Sequence, residues 1–252
     1  MDREVPINSI LFLDIETVPM RERMEDLPEP FRKLWEKKAE NILKQEELTA
    51  GEKFSRAGIY AEFGRIVCIS VGFFSGQQGE KAFRLKSFYG EDEKELLSGF
   101  VVSLQDMEKF LRRKNMSLAL CAHNGKEFDF PYLARRMLIL GLKIPDILNV
   151  AGKKPWEVPF LDTLEMWKFG DRKSFTSLEL LAALFDIPTP KDDIDGSQVA
   201  EVYYGEKDLE RIARYCEKDV LTTARVYQRF AGMPSVKDEE VSWGAGGGEE
   251  TP

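Results

Sequence analysis

The chain has 252 residues, 43% of them hydrophobic, and a net charge of −8. That is apolar material for one large core, and no apolar run approaches the roughly 18 residues a membrane-spanning helix needs. The acidic balance argues against a broadly basic nucleic-acid-coating surface, yet leaves room for an enzyme that grips a few nucleotides through bound metal ions. Cys68, Cys121 and Cys216 are odd in number, widely spaced and contain no Cys-x-x-Cys pair. Neither a disulfide framework nor a zinc site is indicated. Met1-Asp2-Arg3-Glu4 lacks the basic start and apolar centre of a signal peptide, so the expectation is a cytoplasmic protein.

Ile10-Leu11-Phe12-Leu13-Asp14-Ile15-Glu16-Thr17 reads as a buried strand that ends in two acids. Side chains alternate along a strand, so Asp14 and Glu16 share one face and Leu11, Leu13 and Ile15 the other. Adjacent carboxylates repel and lose hydration, which is tolerable when a divalent cation sits between them. Hard oxygen ligands of this kind suit Mg²⁺ or Mn²⁺. The alternative is a strand that runs out into solvent with both acids wet.

From about residue 20 to Gly64 the charges roughly balance, Phe31, Leu34 and Trp35 are the apolar anchors, and Pro28 and Pro30 precede a helical run through Leu43. This predicts a largely helical insertion. Arg65 to Phe74 is rich in β-branched and aromatic residues and predicts a strand; a turn at Gly76–Gly79 and a partner strand from Lys81 to Tyr89 complete a hairpin. Apolar residues at helical spacing from Leu96 to Leu111 place a helix over Glu91 to Lys114, and Ser117 to Ala122 is a short buried strand.

His123-Asn124-Gly125-Lys126-Glu127-Phe128-Asp129 follows that strand. Asn-Gly makes a turn, and Asp129 is placed to cap a helix from Phe130 through Leu140, closed by Gly141. A carboxylate between strand and helix is also where α/β proteins put active sites. Phe160 to Leu164 reads as a fifth strand carrying Asp162, either an outer residue of a site or a plain cap. Lys168, Arg172 and Lys173 form a basic cluster, either a phosphate contact or solvated surface. Lys207 to Ala231 carries the strongest helical stripe, and on it Tyr215 and Asp219, four apart, share a face. Residues 234–252 are Gly-rich and acidic, which predicts a disordered tail after a single domain of residues 1–233.

Jointly, Asp-x-Glu ending a first strand, Asn-x-x-x-Phe-Asp after a later strand and Tyr-x-x-x-Asp on a late helix resemble the three motifs of the DEDDy 3′–5′ exonucleases. The flanking residues are most similar to the proofreading exonuclease domain of family B DNA polymerases, here without a polymerase. The resemblance covers most of residues 8 to 231. It implies an α/β, RNase H-like mixed five-stranded sheet flanked by helices. It further implies two divalent cations held by Asp14, Glu16, Asp129 and Asp219, a water oriented by Tyr215, and single-stranded DNA or RNA 3′ ends as partners. Thr17, His123, Asn124 and Phe128 would contact substrate. The sister branch needs a histidine shortly before the last acid. The only histidine of the chain, His123, lies in the second motif instead, so that branch is excluded. The insertion after the first motif departs from the family and is expected over or beside the cleft. Two other functions compete. A silent nucleic-acid-binding domain would not require so costly an acidic cluster, and an RNase H-like endonuclease would not produce a ladder shortening from the 3′ end.

Overall fold

The computed structural model describes residues 5–42, 48–75, 82–171, 175–188 and 194–244. The expected turn at Gly76–Gly79, Arg172 and Lys173 of the expected basic cluster, and residues 245–252 lie outside them. Strand β1 (Ile10–Pro19) sits centrally in a six-stranded mixed sheet with β2 (Gly64–Ser75), β3 (Ala82–Tyr89), β4 (Ala119–Ala122), β5 (Leu161–Asp162) and β6 (Val241–Ser242). The strand order is β5-β4-β1-β2-β3-β6. β2 pairs antiparallel with both β1 and β3, while β4, β5 and β6 add in parallel.

Alternation along β1 decides the layers. Leu11, Leu13 and Ile15 face α2 (Glu93–Arg113) and α3 (Asp129–Ile139), which cover that face with Leu97, Phe100, Leu133 and Met137, while α1 (Glu29–Ala39) packs its Trp35 and Ala39 in a separate cluster within the insertion. Ile10 and Phe12 face the other way, against Val220, Leu221, Ala224 and Tyr227 of the last helix. Phe12 is fully buried and meets Tyr227 edge-on at 5.5 Å. Truncating such a residue to Ala costs about 3–5 kcal/mol. Three short helices precede the long one: α4 (Thr163–Lys168), α5 (Leu178–Leu184) and α6 (Val199–Glu201), which runs into a π-helical turn at Val202–Glu206. Helix α7 (Leu209–Phe230) then crosses the sheet, its first turn capped by Asp208, whose carboxylate accepts the Arg211 N–H at 2.9 Å.

The structure departs from the sequence reading in three places. β1 does not end at its acids but carries them mid-strand and continues to Pro19, with a bulge between Glu16 and Thr17. Asp129 is not a cap: it is the first residue of α3, and its carboxylate turns away to β1. The sheet has a sixth strand, because residues 234–244 fold back, burying Val236 and pairing Val241 with Phe83. The helix of the insertion is α1, joined by a 3₁₀ segment at Glu52–Ile59. Trp35 anchors the pair, packing on Phe54 and donating from Nε1 to the Ala50 carbonyl at 2.8 Å. Among the described residues no helix is long and apolar enough to cross a membrane.

Candidate active site

Asp14 and Glu16 continue the face of β1 that Ile10 and Phe12 begin, so they point toward α7. β4 pairs with β1 only as far as Phe12, opposite Cys121. Beyond that point the β4 side of β1 is open, and the Ile15 N–H there would lack a ladder partner. The Asp129 carboxylate supplies it, accepting that N–H at 3.2 Å. A helix start is thereby bolted between the two strand acids.

From the other side, α7 presents Tyr215, Cys216 and Asp219. The Tyr215 hydroxyl hydrogen-bonds the Asp219 carboxylate, and the field of Asp219, Glu16 and Asp14 reaches it. Burial first, then these charges, raise its pKa well above that of an ordinary phenol. Burial also lifts Asp14 and Glu16 well above the usual carboxylate range, with further contributions from the neighbouring acids. Asp129 is pushed up to about 7, mainly by burial and against the lowering effect of its backbone hydrogen bonds. Asp14, Glu16, Asp129 and Asp219 thus converge and repel. A cluster held at that cost fits a divalent cation chemically: oxygen donors only, negative, and short of hydration.

Cys216 was not expected here. Its thiol donates to the Asp14 carbonyl and to Asp14 Oδ2, both at 3.4 Å, and its sulfur lies within 4.8 Å of oxygens of Asp14 and Glu16. On the sequence Cys216 is indistinguishable from the apolar stripe around it. Its place between Tyr215 and Asp219 is the one signal that could have marked it.

The second motif is organised by Asp162. This buried carboxylate caps α4 through Leu164 N–H (2.9 Å) and Glu165 N–H (3.3 Å), and also accepts the N–H groups of Asn124 and Lys126, each at 3.0 Å. Asn124 has φ of 60°, a conformation Asn tolerates better than most residues. Gly125 cannot carry a Cβ, which would collide with the Ala122 side chain and sit 2.9 Å from Phe130. The turn is therefore fixed in shape, and with it the direction from which Asp129 enters.

The residues expected to contact substrate are placed as follows. His123 Nε2 donates to the Thr176 carbonyl at 3.0 Å, which leaves Nδ1 to accept from the Thr163 hydroxyl at 2.9 Å. Both ring nitrogens are engaged within the chain, and burial lowers the pKa, so the ring is neutral and structural. Thr17 is half-buried with its hydroxyl bonded to Tyr132. Phe128 is half-buried, its ring 5.4 Å from that of Tyr132. Asn124 is half-buried beside it in the turn. Lys168 ends α4, whose Glu165 is paired with Lys126 at 2.5 Å.

Residues 59–242 match a family described as predicted 3′-5′ exonucleases related to the exonuclease domain of PolB. A DNA polymerase of Pyrococcus glycovorans is 26% identical over 202 residues, covering 73% of this chain and 23% of the polymerase. DNA polymerase 1 of Pyrococcus abyssi is 25% identical over 185 residues, covering 68% and 23%. The chain therefore spans about a quarter of the length of these relatives. The family B DNA polymerase of Pyrobaculum calidifontis superposes over 89% of this chain and 24% of its own, with a TM-score of 0.52 at 16% identity. That likeness carries the fold, α/β and RNase H-like, which the six-stranded mixed sheet satisfies. The chain belongs to the family of predicted 3′-5′ exonucleases related to the exonuclease domain of PolB.

Proposed function

We propose that the protein is a metal-dependent exonuclease that shortens single-stranded nucleic acid, DNA in preference to RNA, from its 3′ end and releases nucleoside 5′-monophosphates in the cytoplasm. The observation that carries this reading is the convergence of Asp14, Glu16, Asp129 and Asp219 with the Tyr215 hydroxyl on one buried spot. The four acids would hold two divalent cations, Mg²⁺ or Mn²⁺. Such ions, when bound, activate a water and stabilise the leaving 3′ oxygen in an in-line displacement at phosphorus.

The remaining roles fall to the chain itself. Asp14 and Glu16 are fixed by strand pairing on β2, opposite Ser70 and Cys68. Asp129 is held by Ile15 and by the turn that Asp162 organises. Tyr215 stays protonated at neutral pH, since its pKa is raised, so it orients a water by hydrogen bonding and does not act as the base. Phe128 and Asn124, half-buried in the turn before Asp129, would place the terminal nucleotide, Phe128 by packing near a base or sugar.

The test is incubation of the protein with 5′-labelled single-stranded DNA and RNA, with Mg²⁺, Mn²⁺ or chelator, alongside Asp14→Ala. A metal-dependent ladder shortening from the 3′ end, absent in the variant, is expected. Internal cleavage, or equal rates in Asp14→Ala, would overturn the proposal.

A further inference from the structure

A second feature lies where β1 ends. Two cavities of about 440 Å³ each meet there and share Met20, Arg21 and Arg65, a size in the range of small-molecule sites. One is walled by Tyr203 and Tyr204 of the π-helical turn and by Lys207. The other extends toward Phe31. π-helical turns are rare and concentrate at functional sites. This one is locked in place: the Tyr204 hydroxyl donates to the Pro19 carbonyl at 2.6 Å, and the two tyrosine rings meet edge-on at 4.8 Å.

The charges along this groove are not balanced by the chain. Arg65 lies over the Tyr203 ring, 5.8 Å from its centre, and gives one terminal N–H to the Glu91 carbonyl. Its Nε is buried with no hydrogen-bond partner. Arg21 donates only to its own neighbour, the Met20 carbonyl, at 2.9 Å. Among the described residues neither arginine forms an ion pair, and neither does Lys207. Most acids of the walls are already neutralised: Asp26 by Arg23, Glu62 by Lys38, and Glu93 by Arg136. Only Glu22 and Glu91 remain against three unpaired cations. A buried, unsatisfied guanidinium N–H is costly unless something bonds it. Cations beside phenol rings match a group that is anionic at one end and planar at the other.

We propose that this groove is a nucleotide-binding site separate from the acidic cluster, taking a phosphate on Arg21 and Arg65 and a base against Tyr203 and Tyr204. The nucleotide is either a free nucleoside monophosphate or one unit of a strand. Residues Met20 and Arg21 follow Glu16 by four and five positions, and a strand rises ~3.3 Å per residue, so the groove is on the order of 15 Å from the acids. The proposal goes beyond the exonuclease reading and requires neither the acids nor a metal.

Calorimetric titration of the full chain in chelator, where no cleavage competes, tests it with three probes: adenosine 5′-monophosphate, adenosine and a short oligothymidylate. The exposed Arg21→Glu and the milder Arg65→Gln are each expected to weaken binding on the order of tenfold, the scale of a lost charged hydrogen bond. Adenosine should bind more weakly than its monophosphate. Weakening for the monophosphate assigns the site to free nucleotide; weakening for the oligonucleotide alone assigns it to a strand. No binding of either by the folded protein overturns the proposal. So does binding untouched by both substitutions, or adenosine binding as well as its monophosphate. Asp14→Ala should bind as the parent does, so a failure of the exonuclease reading leaves this result standing.

Discussion

The Asp129 carboxylate accepts the backbone N–H of Ile15, the residue between Asp14 and Glu16, at 3.2 Å. One hydrogen bond thus joins the start of α3 to the strand carrying two of the acids, and fixes three carboxylates in a space that repels them. Burial raises Asp129 to about 7 and Asp14 and Glu16 well above their ordinary values. Unfolded, the same groups titrate near ~4. Between those values the folded chain holds more protons than the unfolded one. The stability that protonation contributes is therefore complete below about pH 4 and is lost as the pH rises through 7. In chelator, the unfolding free energy should fall on the order of a few kcal/mol from about pH 5 to about pH 8. Asp129→Asn should flatten that slope and be more stable than the parent at the higher pH. Denaturant melts at the two pH values measure this, and an unchanged slope in Asp129→Asn would show that the charge of Asp129 is not what strains the site.

Asp14 of the first motif and Tyr215 of the third separate in kinetics. Asp14→Ala removes a charge that nothing nearby replaces, and turnover should drop on the order of 10³-fold. Tyr215→Phe keeps the ring that packs beside α6 and loses only the hydroxyl bonded to Asp219. A loss of about 10²-fold with little change in KM is expected. The pH–rate profile of the parent should show no alkaline limb from the phenol, since its pKa is raised out of the working range. A variant Tyr215→Phe with a shifted alkaline limb would mean that the phenol, not a water it orients, carries the proton.

Much of this was legible in the sequence, and the part that was not has identifiable causes. The strand that holds Asp14 and the helix that holds Tyr215 announce themselves by period, because one face of each is buried. The acids were found because three spaced motifs share one order. β6 escaped because Val241–Ser242 is two residues long, amid glycines and acids, and exists only by pairing with β3. Cys216 escaped because a thiol facing a carboxylate and a thiol facing a core read alike. The groove around Arg65 escaped because it joins residues 20, 65 and 203, which only the fold brings together.

Asp162 tests how far positioning matters. Its carboxylate accepts four backbone N–H groups, two in the turn after β4 and two at the start of α4. Asp162→Ala would leave buried donors unsatisfied at about 1–3 kcal/mol each, and a destabilisation of roughly 3–5 kcal/mol is expected after partial relaxation. Asp162→Asn keeps one acceptor oxygen and should recover part of it. If the turn matters to chemistry, Asp162→Asn should lower kcat at a temperature where it is fully folded, while leaving KM for a short strand nearly unchanged. A fully folded Asp162→Asn with parental kcat would confine this residue to stability.

The insertion is predicted to limit which substrates reach the acids. It is tied to α3 by the Tyr132 hydroxyl donating to the Gly58 carbonyl at 2.7 Å and by Arg136 donating to the Ala61 carbonyl at 2.8 Å, with Arg136 also paired to buried Glu93 at 2.6 Å. Gly58 in turn packs directly on the Val18 backbone, so little space remains between the insertion and the end of β1. These contacts make the 3₁₀ segment a fixed wall rather than a swinging flap. Were that wall to border the cleft, a single strand would pass more easily than a duplex. Single-stranded and long-overhang substrates should be degraded at least about tenfold faster than blunt duplex, equivalent to one step of ~1.4 kcal/mol in the barrier. Tyr132→Phe removes one anchor worth about 1 kcal/mol and should narrow that ratio without abolishing activity on single strands. Equal rates on all three substrate forms would mean that the insertion packs behind the cleft and leaves access to it unaffected.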